Sequence, residues 1–348
     1  MKKKIFSILL FSIMQLLVLQ NIKFNVVNAV SYVDEQNVEY YLLESGVVQA
    51  YFSNSDYTRE KIVIPEYIEL FEKKYEVTDI SSSAFIDDDI VKTITLPKSI
   101  RFIYDDRVFM NFKGLESISV DSECKNFFSC EGVLFKRSGS EVKLFSYPAS
   151  KAESKYTVPD YVKSFADFAF VYCTKLHMLE ISASVENISL CALRDNSIEH
   201  IEVNPNNVRY FSRDGVLFYR SANGDIDLLK YPSNKPDKKY VVMKDVSMVQ
   251  VFAFEKCKHL DQISFEFGSC SEVRPYFYNL RMSWEMLNIF DGCNPNLKIC
   301  RLYENGEIAK SFSFSDYFED EKNPLVWTLD DEEFILGLGL DSDCADSE

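Results

Sequence analysis

The chain has 348 residues, with 38 Lys and Arg against 54 Asp and Glu and a formal net charge of −16. Such a balance repels nucleic acid and anionic lipid, so partners held by general attraction to phosphate are excluded. Apolar residues make up 47% of the chain, enough for a sizeable core, while the 11 glycines leave no Gly-rich phosphate loop.

Residues 1–29 read as a secretory signal peptide. Lys2, Lys3 and Lys4 form a basic start, Ile5–Leu19 is mostly apolar, and Val27-Asn28-Ala29 supplies small residues before a cleavage site. The mature chain is then expected to begin at Val30. The apolar run is short for a membrane span, which needs about 20 residues; the other reading is an uncleaved anchor. Removing this segment takes away Lys2, Lys3, Lys4 and Lys23 and leaves a more acidic protein. All nine Cys lie beyond it, and an oxidising destination permits disulfides. Their odd number and wide spacing do not form a small disulfide framework.

Residues 30–76 are expected to form a β-rich N-terminal cap, and residues 77–303 a repeat. With an "AF"-like pair as origin, similar segments begin at Ala84, Val108, Ala169, Ala192 and Ala253. Apolar residues recur near +7, +10 and +12: Val91, Ile94, Leu96; Leu115, Ile118, Val120; Leu176, Leu179, Ile181; Leu260, Ile263, Phe265. The Ala192 copy is one residue shorter and gives Ile198, Ile201 and Val203. A coil of this length cannot bury its own apolar face, so successive coils must stack. The +10/+12 alternation has period two and predicts a short strand; stacking would align such strands into a parallel sheet. Phe170 and Phe254, at +1, are expected in equivalent core slots. The return halves carry Ile100, Ile103, Val185 and Ile188.

Every second interval is longer and carries the same phrase, "EGVLFKRSGSEVKLFSYP" from Glu131 and "DGVLFYRSANGDIDLLKYP" from Asp214. Each reads as an inserted β-hairpin, near 126–148 and 210–232. The second turns through Ser221-Ala222-Asn223-Gly224-Asp225 and the first through Ser138-Gly139-Ser140. The segment Glu266–Leu287 does not continue the rhythm. Residues 304–348 form an acidic tail: Ser315–Glu348 holds 12 acidic residues and one Lys. Its apolar island, Phe334–Leu340, is expected to cap the solenoid end or to serve a partner.

The pattern A-F-x-x-C-x-x-L-x-x-I-x-[apolar], followed by P-x-S-[VI]-x-x-I, resembles the BspA-like leucine-rich repeat family. The hairpin phrases, the opening Val38–Ile68 and the closing "IFDGCNPNLKI" (Ile289–Ile299) are similar to segments of those proteins. Departures are Ser182 and Met243 where Pro is expected, and Val108 and Leu193 at core positions. The resemblance implies an α/β-type but β-rich repeat: a leucine-rich repeat solenoid with a parallel β-sheet face and inserted β-hairpins. It also implies a secreted or surface-displayed protein with adhesive or host-interaction roles.

Candidate chemistry is sparse. Cys173, Cys257 and Cys293 share the +4 slot and are expected to be buried and reduced, as small hydrophobes rather than nucleophiles. Cys124 and Cys130 flank a polar loop, as a local disulfide or as two thiols. His177, His200 and His259 recur with no partner at metal or triad spacing, so solvated surface is expected, with no metal and no cofactor. Functional weight falls instead on +9 and +11, which alternation turns outward: Thr93 and Thr95, Ser117 and Ser119, Met178 and Glu180, His200 and Glu202, Gln262 and Ser264. One row across five coils, acidic near Glu180 and Glu202, suits an extracellular protein or a glycan. The expected function is therefore non-catalytic ligand binding at the cell surface. A structural spacer or coat component is the second reading, and a secreted Cys-dependent enzyme the third.

Overall fold

The structure is a computed structural model and describes residues 30–43, 45–52, 57–82, 88–110, 112–266, 289–290, 292–294, 296–302 and 308–313. The expected signal peptide, the repeat origin at Ala84, residues 267–287 and the tail island lie outside the described residues. So do Cys270 and Cys344. The chain divides into two compact units, residues 1–151 with 165–169 and residues 152–164 with 170–348.

In the first unit, one sheet has the order β1 (Val30–Val33), β2 (Glu39–Leu42), β3 (Val48–Phe52), β6 (Lys73–Ser82), β5 (Tyr67–Leu70). Strand β8 (Phe102–Ile103) also pairs with β6. A second, all-parallel sheet joins β4 (Lys61–Val63), β7 (Thr93–Leu96) and β9 (Ser117–Val120). An antiparallel meander follows: β10 (Phe127–Cys130), β11 (Val133–Ser138) and β12 (Glu141–Ser146).

The second unit repeats this plan. Parallel strands β13 (Lys155–Thr157), β15 (Met178–Ile181) and β17 (His200–Val203) form one sheet. Strands β14 (Val162–Phe165) and β16 (Asn187–Ile188) neighbour each other on the return side. A meander of β18 (Tyr210–Arg213), β19 (Val216–Arg220) and β20 (Ile226–Lys230) comes next. It continues in parallel to β22 (Val246–Val249). The last sheet holds β21 (Lys239–Val242), β23 (Gln262–Phe265) and β24 (Lys298–Leu302) in parallel, with β25 (Ile308–Ser313) antiparallel at its edge.

The fold is thus a β-solenoid of stacked parallel turns. Strands β7, β9, β15 and β23 occupy the +9 to +12 window and β17, in the shorter copy, +8 to +11; Ile94, Ile118, Leu179, Ile201 and Ile263 point inward with no exposed surface. The α/β element of the expectation is filled by strand, since the described residues contain no helix. The return halves are β8, β14, β16 and β22. Runs of about ten residues rich in Val and Ile lie below the length at which helices hold without strong packing, and favour the pleat.

The repeated phrase folds the same way twice. Both copies have three strands rather than the expected two, because Glu131-Gly132 and Asp214-Gly215 each form a tight turn with consecutive positive φ angles (50° and 80°; 49° and 75°). That is the two-residue geometry whose twist matches paired strands, and Asp-Gly is among its strongest signals. Both copies carry a register shift at the same place, between Leu134 and Phe135 and between Leu217 and Phe218. Stacked rings follow suit: Phe128 on Phe135 at 5.0 Å and Phe211 on Phe218 at 5.4 Å. Each copy returns to its coil through one backbone bond of 2.8 Å, Tyr147 N–H to the Ala169 carbonyl and Tyr231 N–H to the Ala253 carbonyl.

The coil turns recur as well. Tyr172, Asp195, Lys256 and Gly292, each three residues after an origin, all have positive φ. Gly292 thereby marks Ile289 as a further origin. The amide of Phe170 donates to the Ala192 carbonyl, and that of Phe254 to the Ile289 carbonyl, so the +1 residue hangs on the next coil in both cases. Phe170 and Phe254 are fully buried, as their slots require. Phe254 sits among Tyr231, Tyr240 and Phe290, with centroids 5.5, 5.9 and 5.8 Å away.

One buried cluster breaks the apolar rule. Glu255 has no exposed surface, and its Oε1 accepts from Arg194 Nε at 2.8 Å. A second Arg194 nitrogen also bonds to it. Lys230 Nζ stands 3.9 Å from Glu255 Oε2 and donates to the Phe252 carbonyl at 2.9 Å. Arg194 also lies over the Phe252 ring, 4.1 Å from its centroid. Burial lowers the Lys230 pKa.

Candidate binding face

Each parallel sheet has one face fixed by the core and one turned away from it. The registers align Thr93 with Ser117 and Thr95 with Ser119. They align Met178 with His200 and Glu180 with Glu202. Thr93, Thr95, Ser117, Met178, Glu180, His200 and Gln262 are part-exposed, and Ser119 and Glu202 are exposed. Ser264 departs from the expectation: it retains 3% of its surface. Its Oγ accepts from Gln262 Nε2 at 2.8 Å, and its register partner Cys300 on β24 is buried too. A small hydroxyl between a longer neighbour and a flanking strand is covered whichever way it points.

The face is also divided, where a single row was expected. Strand β9 ends its sheet because Ile118 N–H donates to the Gly132 carbonyl at 2.9 Å. Strand β17 ends its sheet likewise, through Ile201 N–H to the Gly215 carbonyl at 3.0 Å. The meander turn takes the edge position that another coil's strand would occupy. It sits so close that a Cβ on Gly132 would meet Ser117 Cβ at 2.8 Å, and one on Gly215 would meet His200 Nδ1 at 2.5 Å. These two glycines are needed for close approach as well as for positive φ.

A substitution follows from that geometry. Gly215→Ala should lower stability by about 1–3 kcal/mol, since the turn is strained and the imidazole must swing away. Chemical denaturation would check this. Combining it with His200→Ala should recover part of the loss, and simple additivity of the two changes would count against the contact.

Three strands that the repeat pattern did not flag complete the face. β4, β13 and β21 precede the origins and begin with Lys61, Lys155 and Lys239, all exposed and in register with Thr93, Met178 and Gln262. Their signal lay in "KIV", "KYT" and "KYV", short alternations without an "AF" pair before them.

These lysines change the charge. Lys155 Nζ is 2.7 Å from Glu180, and Thr157 Oγ1 donates to the same carboxylate at 2.6 Å. The two bonds hold the Glu180 carboxyl below its usual pKa. His200 Nε2 lies 3.2 Å from Glu202 and His177 Nδ1 3.0 Å from Glu199. The expected acidic patch is therefore a set of mixed, partly paired charges, with apolar spots at Val63 and Val241, each 41% exposed.

Thiol chemistry finds no support at the +4 slot. Cys173, Cys257 and Cys293 are buried, and desolvation pushes the Cys173 and Cys257 thiols well above their ordinary pKa. A thiol with no thiolate at neutral pH is a poor nucleophile. Cys124 is buried and Cys130 exposed, both as free thiols. Among the described residues, no three His, Cys, Asp or Glu side chains gather as a metal site.

Coils of this spacing, with these inserts, match a known description. Residues 65–137 and 141–223 match the BspA type leucine rich repeat region in six copies. Over those residues the coils are BspA-type leucine-rich repeats. Similar solved structures include a leucine rich cell surface protein from Faecalibacterium prausnitzii, 19% identical over 70% of this chain and 72% of that chain, with a TM-score of 0.39. The pneumococcal vaccine antigen PcpA is 17% identical over 69% of this chain and 65% of that chain, with a TM-score of 0.40. A leucine-rich repeat protein from Eubacterium ventriosum is 14% identical over 77% of this chain and 95% of that chain, with a TM-score of 0.32. No curated protein sequence matches the chain. Among the described residues, no helix is long and apolar enough to cross a membrane. A match to these repeats is consistent with a non-catalytic repeat protein.

Proposed function

We propose that this is an exported, surface-acting protein that binds an extracellular protein or glycan through the outward faces of its parallel sheets. One observation carries the reading. In each sheet the central inward residue, Ile94, Ile118, Leu179, Ile201 or Ile263, is apolar and fully buried, while the outward positions of neighbouring strands carry Thr, Ser, Met, Glu, His, Gln and Lys in aligned rows. Folding demands only the inward set; the outward set is free to serve recognition. The meander turns at Gly132 and Gly215 border these rows and make them separate shallow platforms. Mixed charge with exposed hydroxyls suits a polar ligand, either a neutral glycan or a protein patch of modest charge.

The reading is tested by screening the protein beginning at Val30 against immobilised extracellular matrix proteins and a glycan array at low and high salt. Binding to at least one class is expected. A protein ligand held by the paired charges should weaken as the screening length falls from about 10 Å to about 3 Å, whereas a neutral glycan should not. Absence of binding to either panel, with self-association instead, would favour a structural coat role.

A further inference from the structure

The first unit contains a cavity that the repeat does not require. It has a volume of about 310 Å³ and lies where β1 and β2 meet the β5–β6 hairpin. Four aromatic residues line it, Tyr32, Tyr40, Tyr67 and Phe71, together with the acidic residues Asp34 and Glu69. That size is at the lower end of small-molecule sites, which combine apolar walls with a few polar groups.

The hairpin tip shows an unusual choice of residues. Phe71 and Glu72 both adopt left-handed backbone, at φ 51° and 61°, with neither Gly nor Asn to ease it. Phe71 is 68% exposed, the highest value among the large hydrophobic residues lining this cavity. A bulky ring held in strained backbone and left in water serves neither turn formation nor the core. Its place on the cavity wall gives it a use.

The carboxylates decide the sign of the ligand. Asp34 Oδ1 accepts from the amides of Gln36 at 2.8 Å and Val38 at 3.0 Å, and Oδ2 accepts from Gln36 Nε2 at 2.9 Å and the Tyr40 hydroxyl at 3.1 Å. It is held in place, and among the described residues neither Asp34 nor Glu69 has an ion-pair partner. The Tyr32 phenol is raised by burial first, and then by Asp34 and Glu35, so their field reaches the ring. Tyr67 already receives an ammonium: Lys74 Nζ lies 4.2 Å from its centroid. Ring faces attract cations through their quadrupole, and several rings around a carboxylate compound the effect.

We propose that this cavity binds an alkylammonium group, taken by the faces of Tyr32, Tyr67 and Phe71 and drawn in by Asp34 and Glu69. The group could be carried by a small quaternary amine or by a lysine side chain of another protein. The site is independent of the sheet faces and stands whether or not those bind a ligand.

The test titrates the protein beginning at Val30 with tetramethylammonium chloride, n-butylammonium chloride and uncharged neopentyl alcohol at constant ionic strength, by calorimetry or by chemical shift. At least one cation should bind roughly tenfold tighter than the neutral probe. Preference for tetramethylammonium would indicate a quaternary amine and preference for n-butylammonium a lysine; either supports the site. Phe71→Asn should weaken cation binding roughly tenfold while leaving the melting temperature unchanged or higher, because Asn suits the left-handed turn. Glu69→Gln should weaken the cations but not neopentyl alcohol. Equal binding of neopentyl alcohol and both cations, or unaltered cation binding by Phe71→Asn, would overturn the proposal.

Discussion

Glu255→Ala is expected to destabilise the protein by about 3–5 kcal/mol, among the largest effects of any single substitution outside the aromatic core. The carboxylate is wholly buried and faces two cations that retain little surface, Arg194 and Lys230. Removing it leaves both desolvated with Asp195 as their remaining counter-charge, and the penalty of a poorly paired buried ion exceeds the value of the pair itself. Replacing the three together by Met, Met and Leu should therefore cost far less than Glu255→Ala alone. Urea denaturation of the parent and the two variants would show it. Equal losses for the single and triple variants would mean that the cluster acts through packing rather than charge.

The origin of that cluster can be read from the repeat. Arg194 and Glu255 occupy the same +2 slot of coils starting at Ala192 and Ala253, and Lys230 closes the second meander. The corresponding residues of the first block are Met110, Val171 and Ser146. A slot apolar in one block thus carries opposite charges in the other, and only their meeting makes burial tolerable.

Phe170→Ala and Phe254→Ala should each cost about 3–5 kcal/mol, and similar amounts, because the two rings hold equivalent slots. Each is fully buried, and each amide bonds to the following coil's origin, at 2.9 and 3.2 Å. Rings pack against both: Phe254 touches three, and Tyr156 lies 6.2 Å from Phe170. Equilibrium unfolding that finds either variant near neutral would contradict the repeat register.

Much of the fold was legible because its rule is short. Apolar residues at +10 and +12 located five short strands, and the position of Phe170 and Phe254 beside Ala located the core. What escaped notice had a local cause in each case. Strands β4, β13 and β21 lack an "AF" origin, so alternation over three or four residues was too brief to stand out. The first strand of each meander was hidden because Glu131-Gly132 and Asp214-Gly215 were read as the start of a phrase rather than as a turn. The face itself was half legible. Alternation gives the side of a strand but not what lies beside it, so it could not foresee the burial of Ser264, the pairing of Glu180 with Lys155, or the turns that divide the row. The buried pair Arg194 and Glu255 leaves no mark in the repeat pattern, since its members are 61 positions apart in sequence.

The most direct measurement compares ligand binding by two variants with that of the parent protein. One replaces Thr95, Ser119, Glu180, Glu202 and Gln262 by Lys, leaving out Ser264 because it is buried. The other replaces the outer meander turns, Ser138–Ser140 and Ser221–Asp225, with Gly-Ser sequences and leaves Gly132 and Gly215 in place. Both should fold, since every change lies on exposed or part-exposed positions. With the sheet faces as the binding surface, the lysine variant loses binding and the turn variant keeps it. Binding that survives the five lysines but disappears with the altered turns would place recognition on the meanders and contradict the assignment.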